Sequence, residues 1–195
     1  REWATELDMS GDELSHRWTE ARQKLFLARD ERIHPLKDDK ILTDWNGLMI
    51  AALAMGARVL NRPSLAEAAQ KAANFLWTRM MGKTGQLLHR YRDGEGGIDA
   101  HAEDYAFLIC GFLNLYGATH DLGYAEFATM LQAQMINDFW DKEAGGFYLT
   151  AEKQDDLPLR PKALYDGAIP SANSVALGNL VTLARLTGNS HWEKR

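Results

Sequence analysis

Two stretches, residues 43–60 and 102–119, carry apolar or small side chains on almost every side of a helical wheel, and this constrains the chain more than any other feature. A helix without a polar face has to be covered all round. Segments 64–81 and 124–140 instead have one apolar stripe each, and another small and apolar segment follows at 172–186. Alternation of a fully apolar helix with a half-polar one predicts a layered helical array, with one set of helices inside and the other half wet.

The units repeat. Asp44 and Asp104, each at the start of an apolar helix, are 60 residues apart, and Asn173 lies 69 further on. Asn74-Phe75-Leu76-Trp77 and Asn137-Asp138-Phe139-Trp140 mark matching points in the half-polar helices. Short Gly-rich segments around Leu87–Tyr91 and Gly145–Thr150 read as strands or small hairpins between helix pairs. The spacing predicts an all-α fold, an α/α toroid of which residues 1–195 form about half a barrel, roughly three helical hairpins of six, as part of one barrel domain.

Ahead of the first unit, Leu14, Trp18, Ala21, Leu25 and Ala28 recur at helical steps over residues 12–33, and His34-Pro35 ends the pattern. Ser64 and Glu67 have the spacing of a capping box for the helix at 64–81. The chain starts at Arg1 without Met and stops at Lys194-Arg195 inside what reads as a new helix, so it is expected to be an internal fragment of something longer. Isolated half rings expose the apolar flanks of their end helices, and self-association of the fragment is the expectation.

Composition excludes several classes. Lys and Arg number 22 against 27 Asp and Glu, a net charge of −5, and no basic block is long enough to follow a phosphate backbone, so no nucleic acid partner is expected. No apolar run is long enough to predict a membrane span. Cys110 is the only cysteine, which rules out an internal disulfide, a thiolate zinc cluster or a redox pair within the chain and fits a cytoplasmic setting. Its place midway along an apolar helix makes it a packing residue. No dinucleotide or phosphate-loop glycine pattern occurs, and neither His-x-x-x-His, His-Glu-x-x-His nor a calcium-loop spacing is present; no cofactor and no metal is expected from motifs.

The chemistry gathers at the helix starts. In an alternating hairpin array the inner helices run the same way, so Asp44, Asp104, Ser171 and Asn173 are expected around one mouth, with the partial positive charge of the helix ends holding the acids ionised. Asp44 and Asp104 are the candidate catalytic carboxyls, and His101, three residues before Asp104, is the candidate proton-transfer imidazole, with His89 on the short strand beside it. Trp45 and Tyr105 offer apolar faces for a ligand ring, and Asn46, His89, Ser171 and Asn173 supply hydrogen bonds to it. The plainer reading stands beside this one: acids, Ser and Asn at helix starts are common caps worth about 1 kcal/mol each.

Lys24-Leu25-Phe26-Leu27-Ala28-Arg29, Arg32-Ile33-His34-Pro35, Asp38-Asp39-Lys40-Ile41-Leu42-Thr43-Asp44-Trp45-Asn46-Gly47-Leu48, Glu103-Asp104-Tyr105-Ala106-Phe107-Leu108 and Asp166-Gly167-Ala168-Ile169-Pro170-Ser171-Ala172-Asn173-Ser174 together resemble the spermatogenesis-associated, thioredoxin-like protein family. The resemblance covers nearly the whole chain. At Ala172 the family pattern has Gly. It implies a thioredoxin-like domain, absent from this chain, ahead of an (α/α)6 barrel similar to N-acylglucosamine 2-epimerases and six-hairpin glycosidases. A carbohydrate-binding or carbohydrate-converting cleft, of epimerase, isomerase or glycosidase type, follows as the expected function. Its small-molecule partner would be a carbohydrate, and its macromolecular partner the rest of the parent chain. The rival is a non-catalytic helical scaffold that binds a protein partner or a thioredoxin client.

Overall fold

A computed structural model of the chain describes residues 2–152, 159–190 and 192. Two compact units are present, residues 1–39 and 40–195. The first holds α1 (Glu2–Glu6) and α2 (Gly11–Asp30). Ser10 caps α2 by accepting the Glu13 N–H at 3.1 Å, and the helix stops at Asp30, three residues short of the expected end at 33. No residue of α2 is buried.

The second unit opens with β1 (Ile41–Leu42), runs into α3 (Thr43–Val59) and α4 (Pro63–Arg79), and forms a hairpin from β2 (Leu88–Arg92) and β3 (Glu95–Asp99). It continues through α5 (Ala102–Thr119), α6 (Leu122–Phe139) and α7 (Ala172–Thr187). The architecture is the mostly helical α/α toroid type read from the repeat, with one small antiparallel sheet in the order β1-β2-β3. Asp93 and Gly94 both have positive φ, 53° and 87°, which matches the two-residue turn whose twist suits a hairpin. The expected strand at 145–150 is reduced to a single bridge between Trp140 and Phe147.

α3, α5 and α7 form the inner row, with α5 packed between the other two. The half-polar α4 leans on α3 and α5, and α6 on α5. α5 fits its sequence: eleven of its residues are buried, from Ala102 to Leu115. α3 and α7 depart from all-round burial because each has an inner neighbour on one side only. Trp45, Met49, Met55 and Val59 stay exposed on α3, as do Leu177, Val181 and Leu186 on α7. Outside the row, Trp77 of α4 stacks on Phe127 of α6 at 3.7 Å between ring centroids, with Phe112 of α5 against both.

The capping box expected from Ser64 and Glu67 does not form. Pro63 occupies the first helical turn, where its missing N–H costs nothing, and moves the cap back to Arg62. A capping box forms instead at the start of α5, between His101 and Asp104. The helix expected after Gly188 falls largely outside the described residues.

α3 and α5 cross almost backbone to backbone. A methyl group on Gly47 would sit 2.5 Å from the Phe107 carbonyl carbon, and one on Gly111 would sit 2.8 Å from the Gly47 oxygen. Neither neighbour is a flexible side chain that can swing away. Gly47→Ala is therefore expected to destabilise the second unit by about 1–3 kcal/mol through overpacking. Gly178, helical and with nothing within 4 Å of the added carbon, is the control: its Ala variant gains up to about 1 kcal/mol from helix propensity. Thermal melts of the two variants moving the same way would contradict the assignment.

Candidate functional site

The site is built where the starts of α3 and α5 meet the sheet. Asp104, in the first turn of α5, has no exposed surface, so its charge must be met by protein groups. Its Oδ1 accepts the Asp44 N–H at 3.0 Å, supplying the cap that Leu42 at the head of α3 cannot. Its Oδ2 accepts the His101 N–H at 2.8 Å, and both oxygens lie 3.0 Å from His89 Nδ1 on β2. One carboxylate thus ties together two helices and a strand separated by 60 residues of chain.

The two imidazoles are half-exposed above it and pack edge to face, 5.2 Å apart. His89 faces the carboxylate with Nδ1, so the proton sits there and Nε2 is left as the basic nitrogen. The His101 ring is held differently: it accepts the backbone N–H of Asp104 in the capping box, and its Nδ1 stands 3.7 Å from Oδ2, beyond a hydrogen bond. The two rings therefore meet the one carboxylate differently.

Charges follow the surroundings. Burial pushes the Asp104 carboxyl up, but the adjacent imidazoles of His101 and His89 and the His101 N–H outweigh it and hold the group below the ordinary carboxylate range. The bond to Asp104 raises His89, against its own burial. At Asp44 burial, with Asp104 adding repulsion, outweighs the pull of the helix end and raises the carboxyl in spite of the Trp45 N–H that its Oδ1 accepts at 2.7 Å. Glu103, which sequence reasoning missed, joins this group, raised by burial and by the charges of Asp44 and Asp104. An acid in the first turn of an otherwise apolar helix was its only sequence signal.

The remaining candidates separate into site and frame. Trp45 lies beside Asp44 with its indole exposed. Asn46 donates to the Leu42 carbonyl at 2.8 Å and braces the start of its own helix. Tyr105 is a correction: it is buried, packs on Phe139, and its hydroxyl accepts the Leu87 N–H at 3.3 Å, so it has no face to offer a ligand. Asn173 works in the same way one unit later, accepting the Phe147 N–H at 2.7 Å and donating to the carbonyls of Phe147 and Ala163. Ser171 caps α7 by accepting the Ser174 N–H at 3.2 Å. The helix starts do share one end of the array, because the Ala102 N–H bonds Leu149 while Phe147 bonds Asn173. Cys110 is partly buried and burial pushes its thiol up, in keeping with packing.

A second charged knot lies in the segment between α6 and α7. Asp141 accepts from Lys162 Nζ at 2.5 Å, the Tyr148 hydroxyl at 2.8 Å and the N–H groups of Glu143 and Ala144. Lys162 above all holds its carboxyl far below the usual range. With every oxygen engaged, this group braces the segment.

The His89–Asp104 pair makes stability depend on pH with a definite sign. A lowered carboxyl contributes stability that is present above its ordinary value of 3.8 and lost as pH falls through the lowered value. A raised imidazole contributes below its ordinary value of 6.5 and loses that contribution as pH rises through the raised one. The pair's contribution is therefore expected to be largest between those two ordinary values. Asp104→Asn turns an amide donor toward N–H groups, costing about 1.5–3 kcal/mol near pH 6, and should flatten both limbs of the melting-temperature profile; a profile parallel to the wild type would contradict the pair.

No family model matches the sequence. Human spermatogenesis-associated protein 20 is 39% identical over 180 residues, 87% of this chain and 23% of the human protein. The chain thus spans about a quarter of the length of the curated relatives it matches. In structure it is similar to cellobiose 2-epimerase from Bacillus thermoamylovorans, with a TM-score of 0.68 at 16% identity over 83% of this chain and 44% of that one. A GH76 alpha-mannanase from Bacteroides thetaiotaomicron gives 0.61 at 15% identity over 92% and 53%. These likenesses show the fold, an α/α toroid like that of sugar epimerases and glycosidases, while the sequence match over most of its length shows that the chain is similar to a part of spermatogenesis-associated protein 20.

Proposed function

We propose that the chain contributes the acid–base half of a carbohydrate-converting site of epimerase or isomerase type, with His89 as general base and His101 as its proton-transfer partner. The observation that carries this reading is the His89 Nδ1 contact of 3.0 Å to both oxygens of a buried carboxylate. Such a carboxylate fixes the tautomer, leaves Nε2 basic, and stabilises the imidazolium that forms when a proton is taken. Removing a proton beside a sugar carbonyl needs a base of that kind, and returning it needs a second proton-carrying group, the role we give to the His101 ring 5.2 Å away.

Asp104 is a positioning residue here. A glycosidase needs two carboxyl groups that reach the scissile bond, and Asp104 has no exposed surface. Asp44 and Glu103, whose carboxyls are raised by burial, are the hydrogen-bonding acids of the cleft. Trp45 provides the apolar wall. No feature of the cluster favours the scaffold alternative.

The test uses the full-length parent protein, free aldoses and N-acyl sugars in heavy water, with exchange of the proton next to the carbonyl followed by NMR. Exchange is expected in the wild type and should fall about 100-fold to 10,000-fold in His89→Gln, with Asp104→Asn similarly impaired. Exchange unaffected by His89→Gln, or none with any sugar of the panel, would overturn the reading. We also infer that the exposed flanks of α3 and α7 are covered by the rest of the parent ring. The isolated chain is then expected to self-associate in light scattering, and a monomer that melts cooperatively would contradict this.

A further inference from the structure

Among the described residues, His89, His101 and Asp104 can each offer one ligand atom such that all three lie within 4.8 Å of one another. We propose that these three side chains form a site for a divalent cation of borderline softness, zinc in the first place. The site is the one described above, but binding does not depend on the sugar chemistry. Two imidazoles and one carboxylate are a donor set that suits zinc and disfavours calcium or magnesium, which take oxygen ligands.

The separations fit. Tetrahedral zinc with bonds near 2.1 Å places neighbouring ligand atoms about 3.4 Å apart. His89 Nδ1 stands 3.0 Å from Asp104 Oδ2, and His101 Nδ1 stands 3.7 Å from the same oxygen, on either side of that value. The two carboxylate–imidazole separations need shifts of only a few tenths of an ångström, and the two imidazole nitrogens, within 4.8 Å of one another, close the rest of the way as the cluster turns from hydrogen-bonded to coordinated. In the exchange Zn2+ takes the place of the His89 Nδ1 proton, which leaves to solvent, while the acceptor nitrogen of His101 turns from the Asp104 N–H to the metal.

Outer contacts of the kind that metal sites require are already in place. The Asp44 and His101 N–H groups hold the Asp104 carboxylate at 3.0 and 2.8 Å, fixing its direction from behind. Three protein ligands leave the fourth position open. Because His89 Nδ1 is consumed, bound zinc breaks the His89–Asp104 hydrogen bond, and the metal and the proton-transfer arrangement exclude each other.

The experiment is titration of the untagged chain with zinc by calorimetry, and with cobalt by visible absorption, in which tetrahedral coordination gives an intense band. The expected result is one zinc per chain, with the dissociation constant raised about 100-fold or more in both His89→Gln and His101→Asn. Asn keeps a capping acceptor at position 101, so that variant tests the ligand and spares the helix start. His16 and His34, each beside an acid on the exposed part of residues 1–39, are the competing surface sites. A His16→Ala/His34→Ala double variant should bind zinc as the wild type does. No stoichiometric binding, binding unchanged in folded His89→Gln and His101→Asn, or binding lost in the double variant would each overturn the proposal.

Discussion

The fold around the candidate site turns on one buried carboxylate. Asp104 has no exposed surface, and a bare charge in that position is too costly to survive, so the chain has to bring donors to it. Those donors are the backbone of Asp44, the backbone of His101 and the ring of His89. Each belongs to a different element, and satisfying the charge fixes the register of α3 against α5 and of the sheet against both. Leu42, at the head of α3, makes no side-chain cap, and Asp104 delivers one from the next inner helix. The local rule is met by a long-range partner.

The next unit solves the same problem with neutral groups. Thr43 Oγ1 at the start of α3 donates to the Leu88 carbonyl at 2.6 Å, and the Ala102 N–H at the start of α5 donates to Leu149 at 3.0 Å, so each inner helix is pinned to the hairpin segment that follows it. The backbone N–H of Leu87, bridged to Met81, meets the Tyr105 hydroxyl; that of Phe147, bridged in the same way to Trp140, meets the Asn173 amide oxygen. Tyr and Asn differ in shape but deliver one acceptor to one N–H. The repeat is conserved within the chain as hydrogen-bond geometry more closely than as residue type.

This explains what was legible in the sequence and what was not. The helix at 102–119 could be read to the residue because burial on all sides leaves no ambiguity of face and polar residues bound it at both ends. Strand 145–150 could not, since a single bridge and two successive glycines in the left-handed region carry little of a strand's alternation. Ser64 had the right spacing for a cap, but Pro63 one residue earlier competes for the same turn and wins. His89 and His101 were found by proximity in the chain to Asp104. Tyr105 was misread because its partner, the Leu87 N–H, becomes its neighbour only after the hairpin packs. Glu103 was missed because the charges that give it interest, Asp44 above all, come from another helix.

Three carboxyls within one cluster carry different charge tendencies, and the difference comes from the groups around them. Asp104 is the most buried and yet the one held low, because donors surround it; Asp44 and Glu103 are less buried and raised, because fewer donors reach them and Asp104 repels both. Pushing like groups apart in this way separates their tendencies: the surrounding donors favour the charged form of Asp104, while burial works against it at Asp44 and Glu103. The arrangement also binds stability to function. The carboxylate that orients His89 is also the one that holds α3, α5 and the sheet in register, so the geometry of the imidazole can be no looser than the fold itself.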